Sequence, residues 1–263
     1  MGYNKIVTYG KRLELYKYER ELLPRTGKRN CPSDYGTQNS GNGRKDTLQS
    51  GLVDIIKKSK RKDNARRSGM AFKRLVLCNL SGRENPLLLT LTYAQNQGSL
   101  SDAYRDFTSF VQALRYKCGK IFKYICVPEF QKRGAVHFHA LLWGVQKDIL
   151  GLPRQYPNNS IDCYYWSNGF AFLKETNGHD KIASYLSKYM VKSFQDDRLV
   201  SKKAYVASRN ITRPYCVGGL SDFSLDCVVA DYMGVDNVAV QSRSYLTQYL
   251  DSCDYQLFIN NSS

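Results

Sequence analysis

The segment EFQKRGAVHFHALLWG, residues 129–144, constrains the fold more than any other stretch of the chain. An apolar run with His137 and His139 one residue apart reads as a strand, because side chains that alternate with period two put both imidazoles on one face and Phe138 on the other. The preceding IFKYICVPEF reads as a second strand, and QKRGA between the two has the length and the glycine of a hairpin loop. If Phe130 and Val136 close that loop, Glu129 stands directly across from His137. Glu129, His137 and His139 then share one face. A single histidine is ordinarily a satisfied core or surface residue, but two imidazoles opposed by a carboxylate make a usual divalent-metal set. Mixed nitrogen and oxygen donors suit Mg²⁺ or Mn²⁺ as well as Zn²⁺.

The surrounding pattern extends the hairpin to an α+β domain. LLLTLTY (87–93) reads as a buried strand after Pro86, and SLSDAYRDFTSFVQALRYKCG as an amphipathic helix with Ser101 as N-cap and Ala103, Phe107, Phe110, Val111 and Leu114 on its apolar face. After the hairpin come a short strand near GFAFLKE, a helix DKIASYLSKYMVKSF and a last strand around KKAYVASRN. The order β-α-β-β-(β)-α-β is that of a ferredoxin-like split βαβ plan, a mostly antiparallel sheet backed by helices. His179 reads as a loop residue beside an N-cap Asp180.

Charge divides the chain differently. The formal net charge is +16, and residues 1–74 hold 19 Lys and Arg against 7 Asp and Glu, so +12 of it lies there. Residues 1–74 are read as a basic N-terminal arm, flexible through the polar CPSDYGTQNSGNGRKD, then a basic helix with Leu52, Ile55 and Ile56 on one side. Residues 75–210 form the globular domain and 211–263 a C-terminal extension, at a length that suits one domain with extensions. A polyanion is the expected partner. No run of 18 apolar residues occurs, and the opening residues lack the apolar stretch of a signal peptide, so nucleic acid is favoured over a membrane. Eight cysteines without a C-x-x-C suit a reducing cytoplasm.

The segment YLSKYMVKS adds a second chemistry. Tyr185 and Tyr189 are i and i+4 on the expected helix and project from one face, with Lys188 and Lys192 three residues after each. Cations near a phenol favour phenolate, which a tyrosine needs to attack phosphorus. A tyrosine pair at this spacing is more often packing, and YLTQYL, with Tyr245 and Tyr249 but no lysines, is read that way.

HFH (137–139), the upstream PEFQKRGA, LTLTY (89–93) and YLSKYMVK together resemble the three motifs of HUH endonucleases, specifically the rolling-circle replication initiators of microviruses, filamentous phages and plasmids. The resemblance spans about residues 86–210. It implies the HUH endonuclease fold, with Glu129, His137 and His139 binding the metal, Mg²⁺ or Mn²⁺. Tyr185 and Tyr189 would be alternating nucleophiles, and Lys188 the lysine that accompanies a catalytic tyrosine. The implied activity is nicking of single-stranded DNA at an origin hairpin or nick site through a 5′-phosphotyrosyl intermediate, followed by religation, in a bacterial host cytoplasm. No G-x-x-x-x-G-K-[ST] occurs, so a host helicase as well as a host DNA polymerase is expected. Two rival readings are a two-tyrosine transposase or relaxase, and a non-catalytic nucleic-acid-binding module on a ferredoxin-like sheet. Relaxases by resemblance prefer a third histidine where Glu129 stands.

Overall fold

The computed structural model describes residues 3–19, 64–80, 85–155, 159–176, 181–199, 202–233, 238–246 and 252–260. It divides into two compact units, residues 61–214 and a second made of 1–60 with 215–263. Both are α+β, and every strand pairing among the described residues is antiparallel.

The unit 61–214 is built on β3 (Leu87–Tyr93), β4 (Lys123–Phe130), β5 (Val136–Trp143), β6 (Gly151–Pro153), β7 (Ser160–Cys163), β8 (Gly169–Glu175) and β9 (Val206–Ala207). Their order across the sheet is β6-β7-β8-β3-β5-β4-β9. The helix α2 (Leu100–Cys118) connects β3 to β4, and β5 is inserted between those two strands, which is the split βαβ arrangement. The expected last strand is β9, two residues long, on the far edge of β4. Two short strands, β6 and β7, and a single-turn helix α3 (Lys147–Leu150) extend the sheet beyond what the pattern suggested.

Helix α2 forms where expected but begins earlier. Ser99 is the N-cap, accepting from the Asp102 backbone N–H, and Ser101 lies inside the first turn. Its buried stripe of Ala103, Phe107, Phe110, Val111 and Leu114 packs on the face of β3 and β5 that carries Leu89, Leu91, Phe138, Ala140 and Leu142. The Phe107 and Phe138 rings sit 4.9 Å apart. Truncating a ring buried this fully costs about 3–5 kcal/mol.

The opposite face is covered differently. Helix α4 (Lys181–Gln195) lies against β4, burying Ala183, Leu186, Met190 and Ser193, and the Ser193 hydroxyl donates to the Pro128 carbonyl at 2.6 Å. Helix α1, described over 64–80, approaches α4 closely at Gly69, where an added Cβ would lie 2.7 Å from Val191 Cγ2. Asn79 at its end exchanges hydrogen bonds with the Thr212 backbone, 2.8 Å and 3.0 Å, and so anchors the last residues of this unit.

The second unit is a five-stranded sheet in the order β10-β1-β2-β12-β11. Its strands are β1 (Tyr3–Tyr9), β2 (Arg12–Tyr18), β10 (Tyr215–Leu220), β11 (Gln241–Leu246) and β12 (Ser252–Ile259), with α5 (Asp222–Met233). Ile6, Leu13, Leu15 and Phe258 form its core with Leu225 of α5. Residues 3–18, counted above in the basic arm, are therefore strands, and residues 215–259, counted as an extension, supply their partners. The polar segment 31–46, the residues Leu52, Ile55 and Ile56, and His179 with Asp180 lie outside the described residues. Tyr245 stands on a strand rather than a helix, across from Cys253, and Tyr249 lies outside the described residues. All described cysteines are free. Among the described residues no helix is long and apolar enough to cross a membrane.

Candidate metal and nucleophile site

The hairpin has the register expected of it. Phe130 pairs with Val136 and Glu129 with His137. The loop is closed by Gln131 N–H donating to the Ala135 carbonyl at 2.8 Å, with Gly134 at φ +93°, a left-handed conformation that glycine adopts without strain. Alternation then carries Glu129, His137 and His139 onto the face that α4 covers. Their donor atoms all lie within 4.8 Å of one another.

Each member has partners that orient it. His139 Nε2 lies 3.0 Å from Glu129 Oε2, and Lys192 donates to Glu129 Oε1. Burial alone would push the Glu129 carboxyl up, but the hydrogen bonds from His139 and Lys192, backed by their charges, reverse this and hold it at about 2. His139 Nδ1 is buried without a hydrogen-bond partner among the described residues. His137 Nε2 lies 2.7 Å from Thr92 Oγ1, and its Nδ1 lies 3.4 Å from Gln131 Nε2. Burial, then the neighbouring His139, push His137 down to about 4 against the pull of Glu129, so the ring is neutral at pH 7. A neutral imidazole and an ionised carboxylate are the states a metal ion requires of its ligands. Two imidazoles and a carboxylate this close, with a buried histidine nitrogen lacking any other partner, fit a divalent ion.

Helix α4 brings the tyrosines to the same place. The Tyr189 ring stacks on His139, centroids 3.9 Å apart at 25°, and its hydroxyl donates to the Tyr185 hydroxyl at 2.9 Å. The lysines behave differently from expectation. Lys188 is exposed and makes no ion pair among the described residues, while Lys192 neutralises Glu129 rather than a phenol. The Tyr189 phenol is accordingly pushed up, not down, by burial, then by its bond to Tyr185 and the nearby Glu129 charge.

Thr92 and Gln131 were not singled out from the sequence. Thr92 is legible only once β3 is known to pair with β5, in a register that sets it opposite His137. Gln131 follows from its place as the first loop residue, two positions from Glu129.

Residues 86–194 match the family model of replication-associated protein ORF2/G2P, in agreement with the resemblance to rolling-circle replication initiators. The matched segment contains the whole Glu129–His137–His139 set and both tyrosines of α4. No curated protein and no solved structure gives a significant match to the chain.

Proposed function

We propose, from that match and the site it covers, that the chain is a rolling-circle replication initiator, a metal-dependent endonuclease and strand transferase acting on single-stranded DNA at an origin. One observation carries the reading: two tyrosine hydroxyls 2.9 Å apart ride on a helix whose Tyr189 stacks directly on His139 of the Glu-His-His set. A structural tyrosine pair has no need of that neighbour.

The chemistry follows from the residues. A tyrosine oxygen attacks the scissile phosphorus, the new O–P bond replaces the P–O3′ bond, and the released 3′ oxygen takes up a proton while the 5′ end stays on the enzyme. Glu129, His137 and His139 would hold Mg²⁺ or Mn²⁺, which supplies positive charge to the phosphate and makes it a better electrophile. Tyr189 holds its proton tightly, so attack requires that proton to leave. The Tyr185 hydroxyl accepts the Tyr189 hydrogen bond and can relay that proton only by releasing its own to solvent. Because the ester is kept as phosphotyrosine, the second tyrosine or the 3′ hydroxyl can take the strand back without ATP. Two nucleophiles one helical turn apart allow this exchange without rearranging the chain. A host polymerase extends the 3′ end and a host helicase unwinds the duplex.

The test is covalent-adduct formation on an origin-hairpin oligonucleotide in Mn²⁺, read on a denaturing gel. The wild-type protein forms the adduct and the Tyr185→Phe/Tyr189→Phe double variant forms none, while His137→Ala and His139→Ala lose nicking but keep binding. A double variant that still forms adducts places the nucleophile elsewhere, with Tyr245 the next to examine.

A further inference from the structure

Strand β8 carries an aromatic strip that the reaction above does not use. Its register sets Phe170 opposite Thr92, Phe172 opposite Thr90 and Lys174 opposite Leu88 of β3. Strand β3 in turn sets Thr92 opposite His137 and Thr90 opposite His139. Residues directly across a ladder share a face. Glu129, His137, Thr92 and Phe170 therefore form one row across the sheet, and Val127, His139, Thr90 and Phe172 the next. With strands about 4.8 Å apart, Phe170 stands two strands, about 10 Å, from His137.

The strip is apolar on the face where a solvated strand would be polar. Ala171 and Leu173 fill the core beneath α2, as alternation requires, yet Phe170 on the other side is 51% exposed and Phe172 half-buried. Lys174 continues the row, and with Lys181, Leu88, Ile182 and Glu175, whose charge is met by an ion pair with Lys147, it lines a cleft that borders Tyr185. Beside the start of β8, Arg133 of the hairpin loop donates to the Tyr93 and Ala94 carbonyls. Those partners are neutral, and Arg133 makes no ion pair among the described residues. An aromatic pair with one ring exposed and one half-buried, flanked by cations and leading to the tyrosines, matches a single-stranded nucleic acid, whose bases offer π-faces and whose backbone is anionic.

We propose that Phe170 and Phe172 stack two bases of the strand whose scissile phosphate reaches the Glu129–His137–His139 set, with the backbone following Lys174 and Lys181 towards Tyr185. The location of that phosphate rests on the proposed function; the stacking does not. Rings at i and i+2 on a strand are about 7 Å apart, twice the rise of about 3.4 Å between stacked bases, so the two bases are held apart from each other. A splayed strand exposes its phosphodiesters to the α4 tyrosines in a way that a stacked one does not.

The test uses the full chain in chelator, so that no cleavage occurs, with fluorescence anisotropy on a labelled oligo(dT) and on an abasic strand of the same length. Wild type binds oligo(dT) more tightly than the abasic strand. Phe170→Ala weakens oligo(dT) binding about 5- to 150-fold and brings the two probes close together. Phe170→Leu keeps the apolar bulk and stays weak, whereas Phe170→Trp restores binding and its fluorescence is quenched by the bases. Because Phe170 is half-exposed, these variants keep the wild-type unfolding temperature, and the Leu and Trp variants carry the conclusion if Ala does not. Equal wild-type affinity for the two probes, or full rescue by Leu, overturns the proposal. Base-dependent binding in a protein that never forms an adduct keeps the strip and removes the endonuclease reading; adducts with no base dependence do the reverse.

Discussion

Replacing Glu129 by Gln separates the charge at the centre of the site from its shape. In the metal-free protein the carboxylate accepts from His139 and Lys192, and its fall from 4.5 to about 2 is worth about 3 kcal/mol in favour of the ionised form. The amide keeps one acceptor but turns its NH₂ towards a donor, at a cost of about 1–3 kcal/mol. For a unit the size of 61–214 that lowers Tm by about 2–10 °C. The sign with pH follows from proton binding. Between pH 4.5 and 2 the unfolded carboxylate takes up a proton that the native one refuses, so wild-type stability is present above 4.5 and is lost as pH falls. The variant has no such group, and the two unfolding curves converge towards pH 2. Metal gives the second reading. At Mn²⁺ a hundredfold above Kd the wild type gains about 2.7 kcal/mol, about 5–11 °C, whereas a site weakened a hundredfold keeps about 0.4 kcal/mol, about 1–2 °C. Thermal unfolding in chelator and in Mn²⁺, from pH 2.5 to 7, measures both. A variant with the full Mn²⁺ shift, or a stability gap that does not close in acid, would refute the assignment of Glu129 as the charged partner of this set.

Three further outcomes are expected. Arg66, Arg67 and Lys73 are exposed on α1, and changing all three to Gln should reduce the slope of log affinity against log salt for single-stranded DNA by about 2, measured by titration at several salt concentrations. Burial, then the hydrogen bond to Asp106, raise the Tyr93 phenol, so the native state keeps a proton that the unfolded chain releases above pH 10; wild-type stability should fall there, and its advantage over Tyr93→Phe should shrink, in denaturant melts from pH 9 to 11.5. Gly69→Val forces a branched side chain against Val191 Cγ2 and should cost about 1–3 kcal/mol, read from the urea midpoint.

The legible parts of this chain are those whose partners are near in sequence. The hairpin register followed from loop length and period two, and α2 and α4 followed from stripes of 3.6 periodicity. The Glu129–His137–His139 cluster needed only a strand and its immediate neighbour. Thr92 needed one more pairing, across an intervening helix. Strands β1 and β2 were hidden because Lys5, Lys11, Arg12 and Lys17 dominated the reading of a segment whose outer partners, β10 and β12, lie about 200 residues away. In β2, Leu13 and Leu15 fill the core, and the buried Glu14 accepts from Tyr9 and Tyr16 at 2.6 and 2.8 Å, a pairing that no periodicity announces. Lys192 was placed correctly on the helix face but with the wrong neighbour. Three residues past Tyr189 it can reach either a phenol or the sheet below, and a buried carboxylate attracts an ammonium more strongly than a neutral phenol does.

The interleaving of the two units has a consequence for the order in which the protein can mature. The β1–β2 hairpin leaves the ribosome before residues 61–214, yet its flanking strands β10 and β12 are made after them. An isolated hairpin is marginal in water. At about 5–20 residues per second, roughly 10–50 s separate the synthesis of β2 from that of β12, long enough for all of residues 61–214 to emerge and collapse in between. Until β10 is made β1 and β2 offer two unsatisfied edges, and until β12 is made β2 still offers one. A nascent chain stalled before Ser252 therefore carries all of residues 61–214 together with a hairpin that still has an open, adhesive edge.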